Sequence, residues 1–254
     1  MVKNEILSLP ESIMHTKDLA DEICVVDTGS TDGTVGYLKE MQSENTLKFA
    51  EFKWCDDFSA ARNASLDMAT GDWILILDAD EWIYLDQFET IRKLMSDPNI
   101  DIWEFSILSF MQDPHWVKKP VVIKGFVERM FRNGKGFKYE GIVHNKLMFN
   151  GQLSKNSKCA INNFKFREKR TYKEKAAANK ILLDKKIIDQ GWTFLNCVHY
   201  ADIYRGLWTW FGDVKDGNRA VHYLDMALKI KHDRRMVETK NSILQGVRYA
   251  KSRY

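Results

Sequence analysis

Two stretches of the chain place acids where a buried strand should end. In "WILILDADEW", the apolar run Trp73 to Leu77 leads straight into Asp78, Ala79, Asp80 and Glu81. In "EICVVDTGSTDGT", a shorter apolar run ends on Asp27, and Thr28 and Ser30 follow in a turn-forming sequence. In an extended segment, side chains at i and i+2 point the same way. Asp78 and Asp80 are therefore expected to face one site, with Ala79 turned away so that the backbone can come close. Paired carboxylates suit a hard divalent cation such as Mg²⁺ or Mn²⁺, which prefers oxygen ligands. Such a cation offsets the repulsion between the acids and can hold a substrate diphosphate. An isolated D-x-D is more often only an acidic strand end. The buried-type strand before it and the second strand-end acid, Asp27, tip the balance here.

The elements that must position these acids can be read from periodicity and punctuation. Glu22 to Asp27 is rich in β-branched residues and reads as a buried strand. "TVGYLKEM" reads as a helix entered through Ser, Thr and Asp caps, and Leu47 to Trp54 as a second strand. Phe58 to Thr70 has helix-forming composition, with Gly71 as its stop. "WILIL" is the third strand. Leu85, Phe88, Ile91 and Leu94 then recur every third residue, as on a helix face. "DIWEFSILSF" and "PVVIKGFVERMF" predict further strands in a more antiparallel region. Strands alternating with helices imply an α/β sheet that is at least partly parallel. In open sheets of that kind ligands gather at the carboxyl ends of the strands, where Asp27, Asp78 and Asp80 fall.

Composition narrows the class. The 254 residues are 44% hydrophobic, enough for one globular domain or for one large and one small unit. No apolar run approaches the ~20 residues needed to span a bilayer. The charged start "MVKNEILSLPESI" has no long apolar segment of a signal peptide. Cys24, Cys55, Cys159 and Cys197 lie far apart with no C-x-x-C pair, against a zinc site or a disulfide scaffold. The expectation is a soluble, cytoplasmic protein with reduced thiols. Gly29, Gly33 and Gly36 do not fit G-x-G-x-x-G, and neither G-x-x-x-x-G-K-[ST] nor G-x-S-x-G occurs. The signatures of a dinucleotide dehydrogenase, a P-loop ATPase and a serine hydrolase are thus missing.

The two parts of the chain differ in charge. Residues 165–254 hold 20 Lys/Arg against 10 Asp/Glu, and the preceding residues hold 18 against 25. From about Phe166 the sequence reads as helices, and a boundary is expected between residues 1–165 and a helical region, 166–254. Asp216-Gly217-Asn218 reads as a turn there. The spacing of Ala220, Tyr223, Ala227 and Leu228 is faintly like a tetratricopeptide helix pair, though ordinary helical packing explains it as well. Trp192, Tyr200, Tyr204, Trp208 and Trp210 are interleaved with the basic residues. They read first as helix core. A second reading is a surface for an anionic acceptor, nucleic acid included, bound with strong salt dependence.

The segments "DEICVVDTGSTDGT" (21–34), "FKWCDDFSAARNASLDMATGDWILILDADE" (52–81) and "ERMFRNGKGFKYEGIVHNKL" (128–147) together resemble family 2 glycosyltransferases with the GT-A fold. "MVKNE" resembles the family's opening. The resemblance covers about the first 150 residues and implies an α/β GT-A fold: a Rossmann-like, nucleotide-diphospho-sugar-binding mixed sheet followed here by the C-terminal helical region. It implies transfer of a sugar from a nucleotide diphosphate donor, with a UDP-sugar as the expected one, to an acceptor hydroxyl, usually with inversion. Acceptors in the family include glycans, lipid-linked sugars, peptides and, in some phages, modified DNA bases.

Carried over residue by residue, Asp27 matches the acid at the nucleoside, and Thr28 and Ser30 line the same turn. Arg62 matches a basic residue beside the base or diphosphate. Asp78 matches the first D-x-D acid near ribose and metal, and Asp80 the acid that binds Mn²⁺ or Mg²⁺. His144 matches a histidine that reaches the metal or diphosphate; a lone histidine is as often structural. Inversion needs a base for the acceptor proton. Glu140 is the first choice, Glu81 and Asp113 the others, and a surface ion pair is the alternative for Glu140. Two departures stand out. Asn145 replaces a common Glu, and the chain starts at Met1, where the family has a strand before "VKNE". Both features favour a rival reading, a non-catalytic sugar-nucleotide-binding or scaffold protein with a decayed site. Intact Asp27, Arg62, Asp78 and Asp80 argue against it. A nucleotidyltransferase, the other metal-and-acid rival, would need a Gly-rich phosphate loop near the start.

Overall fold

The computed structural model describes residues 1–42, 47–111, 125–165 and 169–251. They fall into two compact units, Met1–Phe166 and Arg167–Tyr254. None of the helices among the described residues is long and apolar enough to cross a membrane.

In the first unit, β1 (Ile23–Asp27) and β2 (Leu47–Glu51) pair in parallel, with Asp27 opposite Glu51. The crossover includes α2 (Thr34–Gln42). Asp32 stands just ahead of that helix, and its carboxylate accepts from the Thr34 N–H (3.1 Å) and hydroxyl (2.6 Å). Val2 extends the pairing by one parallel bridge to Asp27. A helix the polar start does not signal, α1 (Leu9–Thr16), has Pro10 in its first turn. Leu9 and Ile13 of α1 join Val2, Val25, Leu38 and Leu47 in one buried cluster.

The remaining strands build a mixed sheet of order β3-β6-β5-β9-β4. These are β3 (Trp73–Leu75), β4 (Glu81–Trp82), β5 (Ile102–Met111), β6 (Phe126–Arg132) and β9 (Leu153–Lys165). β6 runs antiparallel to both β3 and β5, whereas β5 and β9 are parallel. Between β4 and β5, a 3-10 turn (Leu85–Gln87) leads into α4 (Phe88–Met95). Adjacent residues of β6 serve opposite faces. Met130 packs with Phe88, Ile91, Trp103 and Phe105, and Phe131 packs with Ile74, Ile102 and Tyr139. Each fully buried apolar side chain of this kind stabilises by about 1.5–3 kcal/mol, which is why the sheet needs cover on both sides.

Two expectations change here. The strand expected over Trp73–Leu77 forms its ladder only to Leu75, with Ile76 adding one bond to the Arg129 carbonyl (2.7 Å). The strand expected over 120–131 is β6 from Phe126, and residues 120–124 lie outside the described ones. β9, which lies between β5 and β4, was not expected at all. Its "SKNSKCAINN" is polar, and its Asn156, Asn162 and Asn163 are buried. Strand propensity gives no warning of such a segment.

The helix before β3 is α3 (Phe58–Asp67), capped by the Asp57 carboxylate on the N–H groups of Ser59 (2.7 Å) and Ala60 (3.1 Å). Past α3, Glu22 receives the N–H groups of Thr70 and Gly71 (2.8 Å for the latter) and pairs with Lys48. The Lys48 bond leads, with the two backbone N–H groups adding to it, in holding the Glu22 carboxyl down at about 2. A carboxyl whose folded pKa is depressed contributes stability that is complete above the unfolded value and is lost as pH falls through the folded one. Glu22→Gln is therefore expected to lower stability by about 1–2 kcal/mol at pH 7. The gap between wild type and variant should close as pH drops from about 4.5 toward 2 in urea denaturation. A gap that does not change with pH contradicts the charge-based account.

The second unit holds α5 (Lys169–Gln190), α6 (Phe194–Phe211), α7 (Val214–Ile230) and α8 (Arg234–Lys251). Asp216-Gly217-Asn218 is not a turn but the start of α7. Asp213 supplies the cap, accepting from the Lys215 N–H (2.8 Å), while Gly212 ends α6 in the left-handed region. Gly217 has a packing reason. A Cβ there would run into Val247 and Trp208, and one at Gly246 would run into the same indole. The aromatic residues pack largely on each other: Tyr223 contacts Trp192, Tyr200 and Tyr204, with ring centroids 5.7, 4.7 and 5.7 Å away.

Candidate active site

Asp27 ends β1 and is 1% exposed. Its carboxylate folds the next residues around itself. One oxygen accepts from the N–H groups of Gly29 and Ser30, both at 2.8 Å, and the other takes the Ser30 hydroxyl. Ser30 Oγ in turn accepts from Asn4 N–H (2.7 Å), and Thr28 donates its hydroxyl to the Val2 carbonyl (3.0 Å). Gly29 has a φ of +100°, a conformation that glycine adopts without penalty. Asp27, Thr28 and Ser30 thus share one tightly bonded loop, and the Asp27 carboxylate is what shapes it.

The second acid group is not an extended strand end. Asp78 to Glu81 is a turn, closed by the Glu81 N–H on the Asp78 carbonyl (2.9 Å). The alternation expected to align Asp78 with Asp80 is therefore lost. The physical cause is Glu81, 2% exposed, whose Oε2 accepts from the Asp78 N–H (2.9 Å) and draws the chain back on itself. Glu81 Oε1 takes Arg129 Nη2 (2.9 Å), and the same nitrogen reaches Asp78 Oδ2 (3.3 Å). Arg62, from α3, reaches Asp78 Oδ1 (3.4 Å). Asn163 of β9, opposite Glu81 in the sheet, donates to Asp80 Oδ1 (3.1 Å) and Glu81 Oε1 (3.4 Å). Ala79 packs on the cluster of Val2, Val25 and Leu38, which places the turn beside β1.

Burial and charge oppose each other in this network. Burial works to raise the Asp78 carboxyl, but Arg129 and Arg62 outweigh it and hold the pKa below its usual value. Burial disfavours the Arg129 charge, and Asp78 and Glu81 more than restore it, so that its pKa rises. Burial pushes the Glu81 carboxyl up to about 7, and the Asp78 charge adds to the push while Arg129 opposes it. The Met1 amino group, lowered to about 6 chiefly by burial, feels the charges of Arg62, Asp78 and Asp27 together. All three side chains thus lie within electrostatic reach of the Met1 amino group.

Tyr139 packs against Arg62. It lies on β7 (Lys138–Glu140), which pairs antiparallel with β8 (Lys146–Met148). The Arg62 guanidinium sits 4.9 Å from the Tyr139 ring centroid. Asn63 holds Tyr139 by its backbone, donating to its carbonyl (2.9 Å) and accepting its N–H (2.8 Å). Glu140, the next residue on the strand, pairs with Lys138 at 3.0 Å and is half-exposed. His144 is exposed in the loop after β7 with a φ of 51°. Asn4 and Asp56 also have positive φ. Asn4 contacts the Ser30 loop, and Asp56 lies next to the α3 cap. Strain of this kind persists where surrounding structure over-determines it, and it clusters at functional sites. Asp113 lies outside the described residues.

The trio Asp78, Asp80 and His144 does not come together as a metal cage. Among the described residues no three His, Cys, Asp or Glu side chains are grouped to hold an ion. Asp78 is held by two arginines, whereas Asp80 Oδ1 accepts from the neutral Asn163 amide. The site still fits a cation by its chemistry. The turn brings the three carboxylates of Asp78, Asp80 and Glu81 together, and Arg62 and Arg129 pair with Asp78 and Glu81. Mg²⁺-type ions are commonly held by one or two carboxylates together with substrate phosphates. Arg129, Asn163 and Tyr139 were not singled out from sequence. An arginine inside the apolar pattern "FVERMF" was a usable signal, whereas Asn163 had none.

Residues 1–166 match the profile of Glycosyl transferase family 2, and the chain belongs to that family. Its mixed α/β architecture is the GT-A fold. The chain is 34% identical over 144 residues to a TPR repeat-containing protein of Synechococcus elongatus, covering 57% of this chain and 33% of that one. It is 32% identical over 149 residues to the SPbeta prophage-derived glycosyltransferase SunS of Bacillus subtilis, covering 58% and 33%. The chain spans about a third of the length of these two curated relatives. Among solved structures, S. aureus TarS 1-349 in complex with UDP-GlcNAc aligns with a TM-score of 0.49 and 11% identity, over 99% of this chain and 88% of that one.

Asn63→Ala removes both bonds to the Tyr139 backbone and leaves its N–H and carbonyl unpaired. The expected loss is about 1–3 kcal/mol in chemical denaturation. Asn63→Asp, which keeps the acceptor for the Tyr139 N–H, should fall between the two. Unchanged stability in the alanine variant contradicts the clamp.

Proposed function

We propose that the first unit transfers a sugar from a nucleotide diphosphate donor, a UDP-sugar as first choice, to an acceptor hydroxyl with inversion and in a metal-dependent way. The observation that carries this reading is the Asp78–Glu81 turn, buried against two arginines beside the Asp27 loop in a family 2 chain. In this reading Asp27 shapes the loop that presents Thr28 and Ser30 to the nucleoside. Arg62 and Asp78 form the charged edge beside ribose and diphosphate. Asp80 holds the Mn²⁺ or Mg²⁺, with His144 reaching the metal or diphosphate from the loop after β7. The cation, when bound, supplies the positive charge that stabilises the diphosphate as leaving group. The boundary between donor domain and helical region is drawn between residues 165 and 166.

Asp80→Ala should reduce sugar transfer, or slow donor hydrolysis to water, by at least about 100-fold, while leaving the melting temperature near wild type. Excess chelator should do the same to wild type. Full turnover in either case contradicts metal dependence. The anomeric configuration of the product, read by NMR, tests inversion.

Glu140 is the proposed base. Its amide variant, Glu140→Gln, is then expected to lose about 10²–10⁴-fold in kcat with donor binding intact. A variant at wild-type rate leaves Glu140 as the surface partner of Lys138.

A further inference from the structure

We infer that Glu81 and Arg129, linked to Asp80 through Asn163, are positioning residues that set where the Asp80 carboxylate points. The inference rests on the reading of Asp80 as the metal-holding acid and goes beyond it, because neither Glu81 nor Arg129 is given a contact with donor or metal.

Glu81 and Arg129 are 2% and 8% exposed, so both charges have been taken out of water. Desolvation costs several kcal/mol per ion, and apolar residues of similar volume often serve stability as well or better. Packing alone therefore gives little reason for a charged pair at this point. What the pair does provide is geometry. The Asp78–Glu81 turn is fixed by Glu81 N–H on the Asp78 carbonyl and by Asp78 N–H on Glu81 Oε2, each 2.9 Å. Arg129 then ties Glu81 Oε1 (2.9 Å) to Asp78 Oδ2 (3.3 Å). The Asn163 amide, aligned by the β4–β9 register, spans from Glu81 Oε1 to Asp80 Oδ1. Asp80 is thus connected to the sheet through the groups that hold Glu81. Outer partners of this kind typically change metal affinity or activity by about 10–100-fold when removed.

The test separates geometry from stability in the full chain, using Mn²⁺ in the presence of UDP as probe. Bound Mn²⁺ is counted by electron paramagnetic resonance, and melting temperature and donor hydrolysis are measured alongside. Glu81→Met leaves the buried Arg129 with Asp78 alone, and Arg129→Met leaves the buried Glu81 carboxyl without its arginine, so each should melt below wild type. The double variant E81M/R129M removes both charges, so its melting temperature should recover most of the loss. Its Mn²⁺ affinity should nevertheless stay at least about 10-fold weaker than wild type, with kcat lowered more than KM is raised. Asn163→Ala, which keeps the charged pair, should weaken Mn²⁺ binding about 10-fold with only a small drop in melting temperature. If the double variant does not fold, this second variant decides. Recovered stability together with wild-type Mn²⁺ affinity, or wild-type affinity in Asn163→Ala, overturns the positioning role. Mn²⁺ binding unchanged in Asp80→Ala overturns the underlying reading instead, and the two failures are told apart by which variant retains the ion.

Discussion

The Arg129 guanidinium, buried between Asp78 and Glu81, is the contact on which the candidate site depends. Without it, two carboxylates would lie close together under the sheet edge with only Arg62 to balance them. With it, Asp78 stays ionised and Glu81 can close the turn. Each neighbouring element is placed by a bond to that group or to one step beyond it. α3 arrives through Arg62, β7 through the Tyr139 ring under Arg62, and β9 through Asn163. The Asp27 loop is built by different means, from a single buried carboxylate and the N–H groups that follow it. Charge thus organises one half of the site and local backbone bonding the other.

Much of this was legible before any coordinates. The apolar runs ending in Asp27 and Asp78 gave β1 and β3, and the helix compositions gave α2, α3 and α4 within a few residues. Family membership was legible because three motifs occur in order, and the profile match over residues 1–166 agrees with it. What was not legible is as informative. Asp78 and Asp80 looked like an alternating pair because strand periodicity is a local rule. The rule gave way to a tertiary contact, since Glu81 is held by residues 48 and 82 positions away, Arg129 and Asn163. β9 was hidden because its buried asparagines carry no strand signal: Asn156 bonds to its neighbours Lys158 and Cys159, and Asn163 donates to Asp80 and Glu81 far earlier in the chain, a partnership that composition does not reveal.

The helical unit shows the same limit from the side of packing. Gly217 looked like part of a turn because glycine is the commonest punctuation of the chain. In the structure it is a contact residue: its missing side chain lets α7 approach Val247 and the Trp208 indole, which Gly246 accommodates on α8. The interleaved aromatic residues are occupied in a similar way, with Tyr204 and Tyr223 stacked nearly parallel and Arg219 over Tyr204.

The central claim is that the charged turn and the Asp27 loop form one metal-assisted nucleotide-diphosphate site. The most direct measurement is the melting temperature of the chain across a panel of nucleotide sugars, each with and without Mn²⁺. A ligand that binds only the folded state stabilises it by RT ln(1 + [L]/Kd), about 2.7 kcal/mol at 100 times Kd. The account predicts that at least one nucleotide diphosphate sugar raises the melting temperature with Mn²⁺ and much less without it. Stabilisation of equal size in the absence of metal, or none by any nucleotide sugar with Mn²⁺ present, would contradict it.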